Sequence, residues 1–337
     1  MLTRLPAEWE NQDCIVLAWP SKKTDWKENI KEVKKTYIKI IEEIADHELV
    51  LLIAPNSKVI SQFDEKIIKN IKIITTPYND TWTRDYVGIS VVKENKSYLI
   101  NFEFNGWGKK FDYGMDNAVN LKIESEGILS NQLKSNPLIL EGGAIESNGS
   151  GLLLTTSNCL LNANRNFFLS KNEIEEILKS SLGSKSIIWL NSGHIEGDDT
   201  DSHIDTLVRF CDKNTIVYAL DKSYELTAME KELKKNFEEK NFNLIPVPQP
   251  KPIIWKNKRL PASYVNFLIT NEKVLVPIYN DKNDQLVLNI FKKIFKNKKV
   301  VVGIDCNELI KQNGSLHCIT MHITKGTLSP NLYEERN

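Results

Sequence analysis

No run of about 18 apolar residues occurs in the chain, so a membrane-spanning helix of ordinary length is not expected. Met1-Leu2-Thr3-Arg4-Leu5-Pro6 leads into an acidic, tryptophan-bearing stretch instead of the apolar centre of a secretory signal, which predicts a cytoplasmic protein. Net charge is also missing. The 44 Lys and Arg residues offset 44 Asp and Glu, so no basic track for nucleic acid is expected. Lysine pairs such as Lys292-Lys293 and Lys298-Lys299 sit among apolar residues at helix or strand spacing, as on a solvated outer face. Cysteine is scarce: Cys14, Cys159, Cys211, Cys306 and Cys318 are odd in number, scattered, and form no C-x-x-C pair. That argues against a disulfide framework and a structural zinc site, and the first four lie in apolar stretches as small buried hydrophobes. No Gly- or Pro-rich linker, charge block or low-complexity segment divides the chain, and Gln249-Pro250-Lys251-Pro252 is too short to do so. One continuous domain over residues 1–337 is the expectation.

What is present is an ordinary globule's supply of core, 41% hydrophobic against 26% charged residues. Strand-like Ile15 to Trp19 is followed by Ile30, Val33, Tyr37, Ile40, Ile41 and Ile44 at helical spacing, with Asp25 and Glu28 read as that helix's capping box. Strands are predicted at Leu49 to Ala54 and Ile71 to Thr75 around a helix near Val59 to Lys69. The alternation recurs at Thr215 to Leu220, Tyr224 to Glu239 and Leu244 to Val247, and again at Lys273 to Ile278, Gln285 to Phe295 and Lys299 to Ile304. The chain is therefore of the α/β class. Asp85, Glu141 and His203 stand roughly 60 residues apart and Cys318 follows after about two such intervals, as if each of five units gave one residue to a central pocket. The empty slots then fall near Trp19-Pro20-Ser21 and Pro261-Ala262-Ser263-Tyr264. Periodicity alone leaves a ring of units, a doubly wound sheet and a (β/α) barrel equally open.

The residues with chemistry to offer are a cysteine on a glycine-led turn, Gly314-Ser315-Leu316-His317-Cys318, and a histidine between carboxylates, Asp201-Ser202-His203-Ile204-Asp205. Negative charge raises a cysteine pKa and discourages the attacking thiolate, so acids beside a thiol make sense when the substrate is a cation. A guanidinium carbon needs a strong nucleophile, a carboxylate clamp that fixes the plane, and a proton for departing ammonia. Cysteine, aspartate and histidine supply these. The paired glycines of Glu141-Gly142-Gly143 permit close backbone approach, while no Gly-x-Gly-x-x-Gly or Walker lysine follows to hold a phosphate.

With Trp82-Thr83-Arg84-Asp85, Phe104-Asn105-Gly106-Trp107-Gly108, Leu140-Glu141-Gly142-Gly143 and Asn164-Arg165-Asn166, these segments resemble the agmatine deiminases of the guanidino-group-modifying (pentein) superfamily. The likeness runs from Pro6-Ala7-Glu8-Trp9 to Cys318. It implies a five-unit pseudosymmetric α/β propeller around a central active-site pocket, with Cys318 as nucleophile, His203 as acid and base, and Glu141 as its partner. It also implies that Asp85 and Asp205 bind substrate. Tryptophan faces attract alkylammonium groups, so Trp82 and Trp107, both inside the matching motifs, join the substrate site. No cofactor is implied, the partner is a small cationic guanidine, and a homodimer or larger homo-oligomer is expected. Free arginine would need a cation for its carboxylate, for which Arg84 and Arg165 are candidates; a bacterial peptidyl-arginine deiminase is the nearest relative with another substrate. Ser202 stands where many agmatine deiminases have glycine, Phe167 where they have proline, and the glycine-rich approach to the cysteine is reduced to Asn313-Gly314-Ser315-Leu316. Two other classes fit some of the same residues. A metal-dependent hydrolase would use His203, Asp205, Glu141 and Cys318 as ligands, though no H-E-x-x-H pair is present, and a non-catalytic polyamine-binding protein would use the acids and aromatics without turnover.

Overall fold

A computed structural model describes residues 3–238 and 240–334. The ends of the expected 1–337 domain, and the expected helix end at Glu239, lie outside the described residues. Gln12–Ala18 is buried along its whole length, the mark of a strand covered on both faces, and it pairs parallel with Leu49–Ala54, which pairs parallel with Ile71–Thr75. The connection is the helix Ile30–Ala45, whose Val33, Tyr37, Ile40, Ile41 and Ile44 form one buried stripe. On its other side Gln12–Ala18 takes an antiparallel strand from the far end of the chain, Met321–Thr324.

That arrangement recurs. In four further sheets a short strand runs antiparallel to a middle strand, and the middle strand pairs parallel, across a helix, with a third. The triplets are Ile89–Lys93, Lys96–Glu103 and Lys134–Ile139; Ile145–Ser147, Leu152–Thr156 and Ser186–Leu190; Val208–Phe210, Thr215–Leu220 and Asn243–Pro248; and Leu268–Ile269, Lys273–Ile278 and Val300–Asp305. The crossover helices are Val119–Ser125, Lys171–Leu182, Tyr224–Phe237 and Asp284–Ile294. Lys171–Leu182 shows how sequence sets such a helix. Ser170 and Glu173 close a reciprocal capping box, and Gly183 ends the helix at φ 70°, where a Cβ would fall 1.7 Å from the Thr3 carbonyl oxygen. A hairpin of Ile254–Trp255 and Lys258–Arg259 stands apart from the repeat. No helix among the described residues is long and apolar enough to cross a membrane.

Two local expectations are corrected. Asp25 and Glu28 do not cap the long helix: Asp25–Glu28 is a separate 3₁₀ turn, and the helix begins after Asn29, whose φ of −119° breaks the run. The helix expected near Val59 to Lys69 divides into Ser57–Gln62 and Glu65–Ile68, because extended Phe63 turns into the core and Asp64 caps a fresh start by accepting from the Lys66 amide.

Candidate active site

Every chemistry-bearing residue occupies the same place in its repeat, the link that leads into the short antiparallel strand. Asp85 precedes Ile89–Lys93, Glu141 precedes Ile145–Ser147, His203 and Asp205 precede Val208–Phe210, and Cys318 precedes Met321–Thr324. The fifth link carries Asn266 ahead of Leu268–Ile269. It fills the slot expected near Pro261 to Tyr264. The slot expected near Trp19 is not one, because the first sheet takes its short strand from the far end of the chain and Cys318 already serves it. Backbone contacts join the links: the Arg84 amide donates to the Cys318 carbonyl at 3.2 Å, and the Thr83 hydroxyl donates to Val16 and Ile319 carbonyls at 3.0 and 2.9 Å.

These links converge on an open cavity of about 550 Å³ lined by Trp82, Asp85, Trp107, His203, Asp205 and Cys318, with Asp25, Asp80, Asp198 and Asp199 as more exposed members of the wall. Asp85 is fixed at both oxygens. Trp107 Nε1 donates to Oδ2 and the Gly143 amide to Oδ1, each at 2.9 Å, and His203 Nδ1 lies 3.7 Å from Oδ1. Trp107 reaches Asp85 from a left-handed run, Gly106 to Lys109, with Trp107 itself at φ 55°, a backbone strain of about 1–3 kcal/mol that a rigid surround must sustain. Asp205 is fully buried and takes its protein bonds on Oδ2, from His317 Nδ1 at 2.8 Å and Asn266 Nδ2 at 3.2 Å. Asp205 Oδ1 is buried without a hydrogen-bond partner among the described residues, so a carboxylate oxygen is left for a ligand, while the His203 ring has Asp85 at Nδ1 and Cys159 close by. Cys318 Sγ lies 3.3 Å from Asn266 Nδ2 and 3.8 Å from Asp205 Oδ2.

Electrostatics follow from this packing. Burial, then Asp205 and Asp85, push the Cys318 thiol well above its ordinary range. Burial pushes Asp85 up to about 6 against the pull of His203. Burial opposes a charge on His203, but Asp85 and Cys159 outweigh it and hold the ring protonated well above the usual histidine range. Burial works against ionised Asp205 as well, and the His317 bond overcomes it. The empty site is a thiol, a charged imidazole and an ionised aspartate.

Glu141 is placed beside the site but not in its wall. Both its oxygens accept from Arg165 Nε, at 2.9 and 3.2 Å, and no direct bond to His203 forms among the described residues. Behind His203, ligand atoms of Glu141, Cys159 and His203 lie within 4.8 Å of one another. The set weighed for a metal hydrolase is thus not the one brought together: Cys159 replaces Asp205 and Cys318, and the Arg165 guanidinium against Glu141 suits a cation poorly. Cys159 is buried, as expected of a small hydrophobe, yet its neighbours are polar. Arg165 is fully buried with Glu141, so Arg165→Met leaves a carboxylate unpaired in the core and is expected to lower unfolding stability by about 3–5 kcal/mol, read by urea or thermal denaturation. A loss under about 1 kcal/mol would contradict the pairing.

Arg84 and Arg165 do not reach the cavity. Arg84 points at Glu8 and His322, Arg165 at Glu141 and Asp201. Among the described residues no lysine or arginine lines the wall, and Lys110 near its rim is turned onto Asp201 and the Asp199 carbonyl. Of the remaining tryptophans in the first third, Trp19 and Trp26 are core residues. Trp82 lies against Gly314, where a Cβ would come within 2.2 Å of its ring, so the shortened approach to Cys318 keeps glycine where contact demands it. Ser202 holds φ 69°, the left-handed geometry glycine adopts easily, so serine there keeps the backbone conformation. Sequence reading missed Asn266, Asp25, Asp80, Asp198 and Asp199. Only the spacing of about 60 residues pointed near Asn266, and aspartates in loops carry no signal of which cavity they will face.

A family model for Porphyromonas-type peptidyl-arginine deiminase matches residues 4–323. The chain belongs to this family. A Marinomonas sp. (strain MWYL1) protein, provisionally named agmatine deiminase, is 32% identical over 95% of this chain and 94% of its own length. Among solved structures, a cysteine-to-serine variant of C. jejuni agmatine deiminase with substrate bound superimposes with a TM-score of 0.91 at 40% identity, covering 96% of this chain and 97% of that one. A Porphyromonas gingivalis protein provisionally named arginine deiminase gives 0.92 at 38% identity, covering 97% and 100%. Proteins with different names thus lie at similar distance from this chain.

Proposed function

We propose that the protein is an agmatine deiminase, hydrolysing agmatine to N-carbamoylputrescine and ammonia, a step towards putrescine. One observation carries the choice of substrate: the cavity presents a nucleophile and six aspartates and, among the described residues, no lysine or arginine. A guanidine with a second positive end fits such a wall. Free arginine would bring a carboxylate with no partner, at a cost of several kcal/mol once desolvated. The relatives named agmatine deiminase support the same reading. An ammonia-release assay with agmatine, arginine and a peptidyl arginine side by side tests it. Agmatine should win by at least about 100-fold in kcat/KM, and equal or greater turnover of arginine would overturn the assignment.

In the proposed cycle Asp85 and Asp205 clamp the guanidinium plane through paired, charge-assisted bonds, and Asp198 or Asp199 meets the distal ammonium. Trp82 and Trp107 bound the chain between them. The cation's arrival stabilises the Cys318 thiolate, further supported by the Asn266 amide, and the thiol's proton passes to solvent because His203 is already charged. The sulfur adds to the guanidinium carbon; the tetrahedral adduct collapses with cleavage of one C–N bond as His203 gives its proton to the leaving nitrogen, which departs as ammonia. Water, losing its proton to His203, then adds to the amidino-thioether carbon. Cleavage of the C–S bond leaves the ureido product and restores the thiol. Glu141, held by Arg165, contributes negative potential near His203 that favours its charged form.

The resting thiol gives a direct test. Alkylation of Cys318 by a small neutral reagent should still be rising past about pH 9, because the free thiol ionises above the ordinary value near 8.5. An unreactive amidinium in the clamp should shift the curve to lower pH. No shift, after allowing for shielding measured with a neutral isostere, would refute substrate-assisted ionisation.

The five sheets are read as a pseudosymmetric propeller within one catalytic domain. Supporting this are the same strand-helix-strand order in each sheet, the return of Met321–Thr324 to pair with Gln12–Ala18, and the equivalent placement of five site-bearing links.

A further inference from the structure

Behind the active site lies a second, narrow cavity whose lining includes Glu8, Arg84, Gly142, Glu146, His317 and His322. Consecutive residues face opposite ways: Arg84, Gly142 and His317 line the rear cavity, while Asp85 and Cys318 line the front one and Gly143 bonds Asp85. The wall between them is about one residue thick. One side chain that crosses it with bonds on both sides is that of His317. His317 is buried, with Nδ1 at 2.8 Å from Asp205 Oδ2 in front and Nε2 at 2.7 Å from Glu8 Oε2 behind.

We propose that His317 is a positioning residue for the proposed deiminase reaction: an imidazolium that spans Asp205 and Glu8 and turns Asp205 so that its unpartnered Oδ1 meets the guanidinium. The inference rests on the reading of Asp205 as half of the substrate clamp. Glu8 anchors the rear end firmly. Its Oε1 takes the Ile269 amide at 2.8 Å and Arg209 Nη2 at 2.9 Å, and its Oε2 also takes Arg84 Nη2 at 3.3 Å. Arg209 is in turn fixed by Glu146 at 2.9 Å and by the Phe267 carbonyl at 2.7 Å. His322 stands 3.5 Å from Glu8 Oε2 and accepts from Arg84 Nη1 at 3.1 Å. Burial, with Arg209 and Arg84 close by, disfavours a charge on the His317 ring. Glu8 and Asp205 nevertheless both stay ionised, and an ionised carboxylate can only accept, so each ring nitrogen must carry hydrogen. The two short direct bonds decide the balance. With Oδ2 occupied by His317 and Asn266, rotation of the Asp205 carboxylate would break both bonds, which pins the free oxygen toward substrate.

The test separates the two ring nitrogens. An asparagine amide at 317 falls near Nδ1 and can still donate to Asp205; a glutamine amide falls near Nε2 and serves Glu8 alone. Agmatine KM should rise by about tenfold or more in His317→Gln and by less than about threefold in His317→Asn, with kcat falling less than KM rises in both. Asp205→Asn is measured alongside. If it raises KM while both His317 variants stay within about twofold of the parent enzyme, or if Gln and Asn behave alike, the positioning role is overturned. If Asp205→Asn leaves KM unchanged, the clamp reading itself fails. Should the His317 variants not fold, ¹⁵N-histidine spectra of His203→Asn at about pH 8.5, where an ordinary histidine is neutral, must still show one ring protonated at both nitrogens. A spectrum with neutral rings only would refute the proposal.

Discussion

Cys318→Ala abolishes ammonia release from agmatine, by at least about 10⁴-fold in kcat, while agmatine still binds. The separation is expected because nucleophile and clamp are different groups in one wall. The thiol supplies the covalent step, whereas Asp85 is held by Trp107 and Gly143, and Asp205 by two shorter bonds from His317 and Asn266, beside which the 3.8 Å sulfur contact is weak. Calorimetric titration should therefore give a Kd within about tenfold of the parent enzyme's KM, and loss of the thiol should leave the clamp ionised as before, because burial, His203 and His317 dominate the shifts of Asp85 and Asp205. Retained turnover would remove Cys318 from the mechanism, and a parent protein that binds agmatine as tightly as the variant while neither releases ammonia would revive a non-catalytic polyamine-binding protein. A metal-dependent hydrolase predicts otherwise: loss of activity on chelation and only a partial defect in Cys318→Ala.

Gly143→Ala is expected to be almost as severe without touching any ionisable group. A Cβ there would stand 2.6 Å from His203 Nδ1, 2.8 Å from Asp85 Oδ1 and 3.3 Å from Asp205 Oδ2, three site groups met at once by one methyl. The Gly143 amide that donates to Asp85 would be displaced with it. Because misplacement by about 1 Å in a reacting geometry can cost 10²-fold, kcat/KM should fall by about 10²–10³. Overpacking in a fixed core should lower stability by about 1–3 kcal/mol. Gly114→Ala provides the comparison, as no atom stands within 4 Å of the added methyl, and its kinetics should match the parent's. Near-normal activity in Gly143→Ala would mean that the links can move apart, and with that the rigid clamp would be lost. The bland reading of Glu141-Gly142-Gly143, a tight turn only, predicts a change in stability with little change in rate.

Much of this arrangement is readable in the linear chain because its signals are local. Leu49–Ala54, Ile71–Thr75, Thr215–Leu220 and Lys273–Ile278 appear where continuous apolar runs predict strands, and Ile30–Ala45 where a 3.6-residue stripe predicts a helix. Cys318 and His203 stand out by chemistry as well, since a cation's carbon demands a nucleophile and an acid, whereas Asp85 and Asp205 were picked out by resemblance. What escaped is what depends on distant partners. Asn266 has no motif of its own; it matters because the link before Leu268–Ile269 sets its amide against Asp205 and Cys318. Glu141 lies within 4.8 Å of His203, as expected of a partner, but its direct bonds go to Arg165, whose Nε reaches both carboxylate oxygens. Asp25, read as a helix cap, faces the cavity because Asn29 breaks the helix behind it.

The chain's order of residues was enough to determine an α/β repeat and the kind of chemistry it serves, since hydrophobic period and side-chain type are properties of neighbouring residues. Only the tertiary structure decided which faces those residues turn. Arg84 and Asp85, or His317 and Cys318, are adjacent in the chain yet fall on opposite sides of one thin wall. The physical reason is that burying a charge requires a partner, and the partners here, Glu8, Arg209 and Arg165, come from parts of the chain that meet only when the sheets assemble.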